Sequence, residues 1–359
     1  MNKTVLLRLK QIFRQHLGLQ LAVIYLFLVV VLTLVLPWLP LAFTPGNLDL
    51  ANPFLPPFSE GVSGVSKHWL GTDQMGRDVL VNLLYGFQTA FFIAVPVMVF
   101  ALVLGTLLGS AAGFLGNRKF EISKAAIVVL LFWLLAVFFY CFYLPPIGEI
   151  PGSLFSAFGI KFLWLAGISL IAFVFLKLLK TLGFLRKKVP VPVDELVLKI
   201  MEVLTSVPRL VLILSFSALA APGISNVILL LSLTYWAGPA RLVRAEVLKI
   251  KQLPYVEAAE VGGLMKSQIL FRHILPNAAA PLWVAFSFGL SSLLGLEATL
   301  SFLGIGLPPE TPSWGRMLAG ARVNAEAWWL LVFPSLALCF TILAIQTCGN
   351  QLQKAFSKV

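Results

Sequence analysis

The sequence predicts an all-α polytopic membrane protein, and three observations carry that expectation. Hydrophobic residues fill 59% of the 359 positions and charged residues only 12%, with a mean hydropathy of +0.93, far to the apolar side of a soluble domain. Apolar runs of about 20 residues, long enough to cross a hydrocarbon core of about 30 Å, recur along the whole chain. Lysine and arginine gather in alternate connections between those runs, as membrane topology requires. In lipid such runs must satisfy their own backbone hydrogen bonds, which makes them helices.

Run length and breakers place spans near residues 19–39, 88–115, 125–144, 160–180, 203–221, 224–240, 277–300 and 328–348, about eight in all. The first run follows a basic stretch, as a secretory leader would. It is too long for one and has no small-residue cleavage site, so it is expected to be a retained span. Lys3, Arg8, Lys10 and Arg14 precede it, and Arg118, Lys119 and Lys124 lie on the same side. That side continues with the basic residues from Lys177 to Lys199, from Arg241 to Arg272, and at Lys354 and Lys358. The opposite side carries only Lys67, Arg77, Lys161, Arg316 and Arg322. Positive loops stay in the cytoplasm, so both termini are expected there. Membrane topology thus accounts for the net charge of +12; membrane lipid is an expected partner and nucleic acid is not. Cys141, Cys339 and Cys348 lie inside apolar runs without metal-type spacing and read as small core residues.

The loop at 40–87 is rich in proline and ends in Gly71-Thr72-Asp73-Gln74-Met75-Gly76-Arg77-Asp78. Asp73 or Thr72 is expected to cap the helix that continues into the second span; the functional alternative is an external surface that meets a substrate-delivering partner. Gly105, Gly109 and Gly113 recur at four-residue spacing and give that span a face without side chains, where another helix can approach closely.

The segment from Arg241 to Pro276 is long, polar and organised. Pro254 suits a first helical turn, Glu257 and Glu260 favour the positive end of the helix dipole, and Gly262-Gly263 can end the helix. A short bounded helix results, whose Ala258-Ala259 pair offers little bulk and would let it enter a groove on another protein. A membrane-surface helix without a partner is the alternative.

Glu257, Ala258, Ala259 and Gly263, followed by Leu275 and Pro276, resemble the cytoplasmic loop motif of ATP-binding-cassette importer permeases. The motif's usual isoleucine two residues before the leucine is His273 here, and His273-Ile274-Leu275-Pro276-Asn277 is similar to the dipeptide, oligopeptide and nickel branch of binding-protein-dependent transport inner membrane components. Leu70 to Asp78, and Glu297 to Gly304 continuing to Pro312-Ser313-Trp314-Gly315, match the same branch in the same order. The resemblance covers residues 1–116 and 193–359. It implies a six-span type I permease core in the bacterial cytoplasmic (inner) membrane. It also implies a second homologous permease subunit, two cytoplasmic ATPase subunits and an external solute-binding protein as partners. Di- or oligopeptides are the expected cargo, with nickel as the alternative.

Residues 117–192 depart from the family. They hold two extra apolar runs, a proline-rich turn and Arg186-Lys187-Lys188, and read as an insertion of two spans that preserves the sidedness of every later segment. The chain thus divides into a cytoplasmic tail (1–18), the first two spans (19–116), the insertion (117–192), a permease core (193–350) containing the cytoplasmic coupling loop 241–276, and a second tail (351–359).

No phosphate-binding Gly-x-x-x-x-Gly-Lys-Ser/Thr loop occurs, so the chain is expected to be non-catalytic and to bind no cofactor, with ATP and magnesium held by the partner ATPases. Nucleotide-driven motion is expected to enter through the helix around Glu257. Glu297, near the outer end of its span, is a candidate for the translocation path or an interfacial position. A secondary transporter driven by an ion gradient would need buried ionisable residues in mid-span and inverted repeats. A membrane-embedded enzyme would need a catalytic cluster at membrane depth. Neither pattern occurs in the sequence.

Overall fold

The computed structural model describes residues 11–39, 43–60, 67–117, 120–139, 154–218 and 221–357. They are mostly helical, and contacts divide the chain into two compact units, Met1–Phe114 with Val197–Val359, and Leu115–Leu196.

In the larger unit, α1 (Leu17–Val35) runs into a 3-10 turn at Leu36–Trp38. A short hairpin, β1 (Ser59–Glu60) with β2 (Lys67–His68), precedes α2 (Val79–Leu115). At about 1.5 Å per residue α2 is ~55 Å long, more than a bilayer core requires. Helix α2 starts well before the expected span at 88, so the loop expected over 40–87 ends at Asp78. The cap is Asp78 and not Asp73 or Thr72: its Oδ1 accepts from Val81 N at 2.9 Å.

The smaller unit contains β3 (Glu121–Ser123), α3 (Lys124–Phe138), α4 (Leu154–Leu179) and β4 (Lys188–Pro190). The strands pair antiparallel, Glu121 opposite Pro190 and Ser123 opposite Lys188. Ser123 also caps α3, accepting from Ala126 N at 3.3 Å. Trp133 Nε1 donates to Ser169 Oγ at 3.1 Å, tying α3 to α4. Cys141 and the proline-rich turn lie outside the described residues, as does the end of the span expected at 125–144.

The larger unit resumes along α5 (Val193–Ser206), followed by α6 (Arg209–Ser217), α7 (Ile224–Tyr235), α8 (Ala237–Ile250) and α9 (Pro254–Val261). It ends with α10 (Leu275–Phe302), α11 (Trp314–Gly320) and α12 (Trp329–Ser357). The span expected at 203–221 is broken, because Pro208 disfavours helical conformation at Val207 and has no N–H of its own. Arg209, inside that expected span, sits 4.1 Å over the Tyr235 ring, a favourable cation–π contact. The loop expected from 241 instead begins after Ile250. Helix α8 continues through Arg241 and Arg244 because Val243, Val247 and Ile250 are buried on one face. Five stretches among the described residues are long and apolar enough to cross a membrane: Leu17–Trp38, Val79–Leu115, Ile224–Ile250, Lys266–Phe302 and Trp329–Phe356.

Small residues set the helix crossings. A Cβ on Gly105 would meet Pro239 Cβ at 2.8 Å and Ala240 N at 2.9 Å. One on Gly109 would collide with the Ala240 carbonyl, and one on Gly113 would meet Arg244 O at 3.0 Å. The stripe therefore lays α2 directly on the α8 backbone, as its spacing indicated. Tyr25 and Thr341 hydroxyls join α1 to α12 at 2.8 Å, and Tyr235 and Ser292 join α7 to α10 at 2.9 Å. Apolar side chains left outside, Phe27, Leu107 and Leu343 among them, are exposed in the isolated chain, as lipid-facing residues of a membrane protein are.

Candidate functional site

Helix α10 has an organised cluster at each end. Its 28 residues span about 42 Å at 1.5 Å per residue, beyond the thickness of a hydrocarbon core of about 30 Å. The two clusters therefore stand on opposite faces of any bilayer the helix crosses.

The cluster at its N-terminal end is built on α9. Pro254 occupies the first turn with Glu257 beside it, both suited to a helix N-terminus. The other end closes as a Schellman motif: Leu264 N donates to Ala259 O at 3.2 Å and Gly263 N to Glu260 O at 3.1 Å, with Gly263 at φ +78°. Val256 alone is buried, while Glu257, Ala258 and Gly263 are exposed and Ala259 is half-buried. Val261 is 90% exposed and Met265 69%, apolar side chains left uncovered outside the spanning helices.

Two links connect α9 to α10. Asn277 Nδ2 donates to the Tyr255 hydroxyl at 3.1 Å and to His273 O at 2.7 Å. Residues Ile269–Ile274 form a π-helical turn directly before Leu275 and Pro276. Pro276 cannot donate to Arg272 O and its ring needs room there, and the wider turn supplies that room. Leu275 and Pro276 thus fix where the long helix begins.

The cluster at the other end brings together all three segments around Gly71, Glu297 and Pro312. Thr72 is its hub. Its hydroxyl donates to Asn52 O at 2.7 Å and accepts from Leu55 N at 2.8 Å, its own N donates to Leu55 O, and its carbonyl accepts from Trp329 Nε1 at 3.0 Å. Thr72→Val keeps the shape and removes both hydrogen bonds of the hydroxyl, to Asn52 O and from Leu55 N. It is expected to destabilise the protein by about 1–3 kcal/mol, read as a lower thermal midpoint in detergent.

Asp73 Oδ1 accepts from Met75 N and Arg77 N at 2.8 and 2.9 Å, forming the turn. Burial raises its carboxyl above the ordinary value, and those hydrogen bonds and the Arg77 charge oppose the shift. Gly71 and Gly76 have positive φ and pass against the backbone of Leu55 and Asp49, where a Cβ would collide. Asp78 Oδ2 accepts from His68 Nδ1 at 2.9 Å in a buried pair, and Phe43 stacks on that imidazole at 4.6 Å.

Glu297 does not face an open route in this chain. It is 2% exposed, and its Oε1 accepts from Ser301 Oγ at 2.7 Å and Ser313 Oγ at 2.9 Å. It fastens the Pro312–Gly315 segment to α10, because a buried carboxylate requires such donors. Gly315 lies against the Ala298 backbone, and Trp314 Nε1 donates to Leu83 O at 3.1 Å on α2.

Arg316, which no sequence motif singled out as a site residue, clamps the preceding loop through Pro308 O at 2.6 Å, Thr311 O at 3.0 Å and Leu307 O at 3.1 Å. Arg77 adds a bond to Pro309 O at 3.3 Å. Burial, and then the neighbouring Arg77 charge, lowers the Arg316 guanidinium below its ordinary value. Its adjacency to Trp314-Gly315 was the one signal available in the sequence.

Residues 181–358 match the family model described as binding-protein-dependent transport system inner membrane component. That stretch, just short of half of the chain, resembles this family. A Brucella abortus protein named for a peptide transport system permease is 29% identical over 350 residues, covering 97% of this chain and 90% of that protein. A Pseudomonas aeruginosa di/tripeptide transport system permease protein is 27% identical over 346 residues, 96% of this chain and 89% of its own length. An oligopeptide transport system permease protein of Bacillus subtilis is 25% identical over 339 residues, 94% and 85% of the two chains. The family match, the names of these relatives and the apolar helices support a multi-pass permease component of a transport system with further components.

Proposed function

We propose that this chain forms half of the translocation pathway of an ATP-driven peptide importer in the bacterial inner membrane. One observation carries the reading: a single helix, α10, joins an exposed α9 loop at one end to the bonded cluster around Thr72, Glu297 and Arg316 at the other. In this reading α9 lies in the cytoplasm with both termini, and the Thr72 cluster lies outside.

Glu257, Ala258, Ala259 and Gly263 enter a groove on one of two ATPase subunits, which hold ATP and magnesium and perform the hydrolysis. Tyr255, Asn277, Leu275 and Pro276 pass the ATPase's movement to α10. A second homologous permease completes the pathway, and an external solute-binding protein meets the surface of residues 71–78. The core has six spans, and residues 117–192 add two. Di- or oligopeptides are favoured as cargo over nickel by the names of the relatives.

Uptake of a labelled dipeptide into proteoliposomes containing the complete system tests this. Accumulation that requires ATP and the binding protein, and survives collapse of ion gradients, is the expected result. Uptake that tracks an ion gradient and ignores ATP would establish secondary transport instead.

A further inference from the structure

A pocket of about 300 Å³ opens beside the 73–77 turn and is lined, among others, by Asp73, Arg77, Asn82, Ser301, Ser313 and Arg316. Three polar features in it are unbalanced. Neither guanidinium forms an ion pair among the described residues. Arg77 gives two N–H groups to Pro309 O and Met75 Sδ, at 3.3 and 3.2 Å, while its Nε is buried without a partner. Asn82 is 5% exposed, and its Oδ1 has no donor.

The nearby carboxylates act on this charge without pairing with it. Glu297 is occupied by Ser301 and Ser313, Asp73 by two backbone N–H groups, and Glu310 acts on Arg316 only at a distance beyond an ion pair. Two guanidiniums lining one pocket without a paired carboxylate favour an anion there, and a buried acceptor favours a donor. Phosphate supplies the anion with at most an O–H on the same centre, and an acidic side chain from a docked protein holds its carboxylate at a variable distance from the nearest backbone N–H. The end of a peptide chain supplies both, one bond apart from its last Cα, and a cavity of this volume is at the small end of ligand sites.

We propose that this pocket binds the C-terminal end of a peptide, with the α-carboxylate between Arg77 and Arg316 and the last amide N–H on Asn82 Oδ1. The inference rests on the peptide reading given above and deepens it: the permease itself recognises the free C-terminus on the outer side, in addition to whatever the binding protein selects. Arg77 and Arg316 thereby serve twice, holding the 307–311 loop and supplying the charge.

The test uses the complete importer in nanodiscs without its binding protein. Equilibrium dialysis measures labelled Ala-Ala and its C-terminal amide. Saturable binding of Ala-Ala, weaker by about tenfold or more for the amide, is expected from the loss of one charged hydrogen-bonded group. Asn82→Asp, which replaces the acceptor with a carboxyl group in the pocket that both guanidiniums line, and Arg77→Gln should each weaken Ala-Ala binding by about tenfold or more in complexes that elute as intact assemblies.

Equal binding of acid and amide, no saturable binding, or unchanged binding in both variants overturns the proposal, and the acid-to-amide comparison holds even if a variant fails to assemble. Loss of binding-protein docking in Arg77→Gln without any Ala-Ala binding by the wild type overturns it in favour of a protein-docking surface. ATP-driven peptide uptake by wild-type proteoliposomes separates the two levels. Uptake with no acid preference removes this inference alone, and its absence removes the peptide reading as well.

Discussion

Replacing Gly263 with valine is expected to abolish ATP-driven uptake while the protein still accumulates in the membrane. Gly263 has φ +78°, and nothing lies within 4 Å of the position a Cβ would take. The substitution therefore creates no collision, and its whole effect is conformational. A left-handed backbone costs an ordinary L-residue about 1–2 kcal/mol, and β-branching makes valine one of the least suited residues. The chain can escape only by abandoning the turn that directs Leu264 back onto Ala259, which re-aims everything between α9 and the π-turn before Leu275. The membrane-embedded helices make no use of this turn, so insertion is spared. Gly263→Asn provides the graded control, because asparagine tolerates the left-handed region, and it should retain substantial uptake. Uptake in proteoliposomes, set against immunoblots of the same membranes, decides the matter. Full transport by the valine variant would disprove the role given to α9.

Gly109→Val is expected to fail earlier, as loss of folded protein. Its Cβ would collide with the Ala240 carbonyl, and Ala240 is fully buried. The obstructing atoms belong to helix backbone on both sides, so no side-chain rotation can relieve them. Overpacking of this kind costs about 1–3 kcal/mol or more, and two long helices must separate to accommodate it. Gly295→Ala, inside α10 with nothing within 4 Å of its Cβ, is the matched control. It should leave stability unchanged or raise it by up to about 1 kcal/mol through helix propensity. Amounts of detergent-extracted monodisperse protein and thermal midpoints separate the two outcomes.

These two glycines mark what could be read from the sequence. Gly263 answers a local backbone demand, the turn after Glu257-Ala258-Ala259, and Gly109 a close helix crossing, yet both are written in nearby residues, the second as a stripe at four-residue spacing. The break at Pro208 was equally local, but an apolar-run criterion passes over it because leucine and valine continue on both sides. Helix α8 extended past its expected end since its arginines occupy one face and Val243, Val247 and Ile250 the other, a pattern that average hydropathy does not distinguish from a loop.

The cluster around Thr72 was least legible. Trp329 reaches Thr72 O across 257 residues of sequence and Arg77 reaches Pro309 O across 232. Nothing in either segment alone indicates the other. For the same reason Glu297 could be placed near the end of its helix, whereas its burial under Ser301 and Ser313 depends on a segment folded back over it.

The central claim is that α9 is the handle by which partner ATPases drive this permease. Affinity purification from gently solubilised membranes, with mass spectrometry of the co-purifying chains, tests it most directly. Two ATPase subunits and a second permease should accompany the wild-type chain, and the ATPases should be lost when Glu257, Ala258 and Ala259 are replaced together by bulky residues. Recovery of the chain alone, stable and homogeneous, or retention of the ATPases after those replacements, would contradict it.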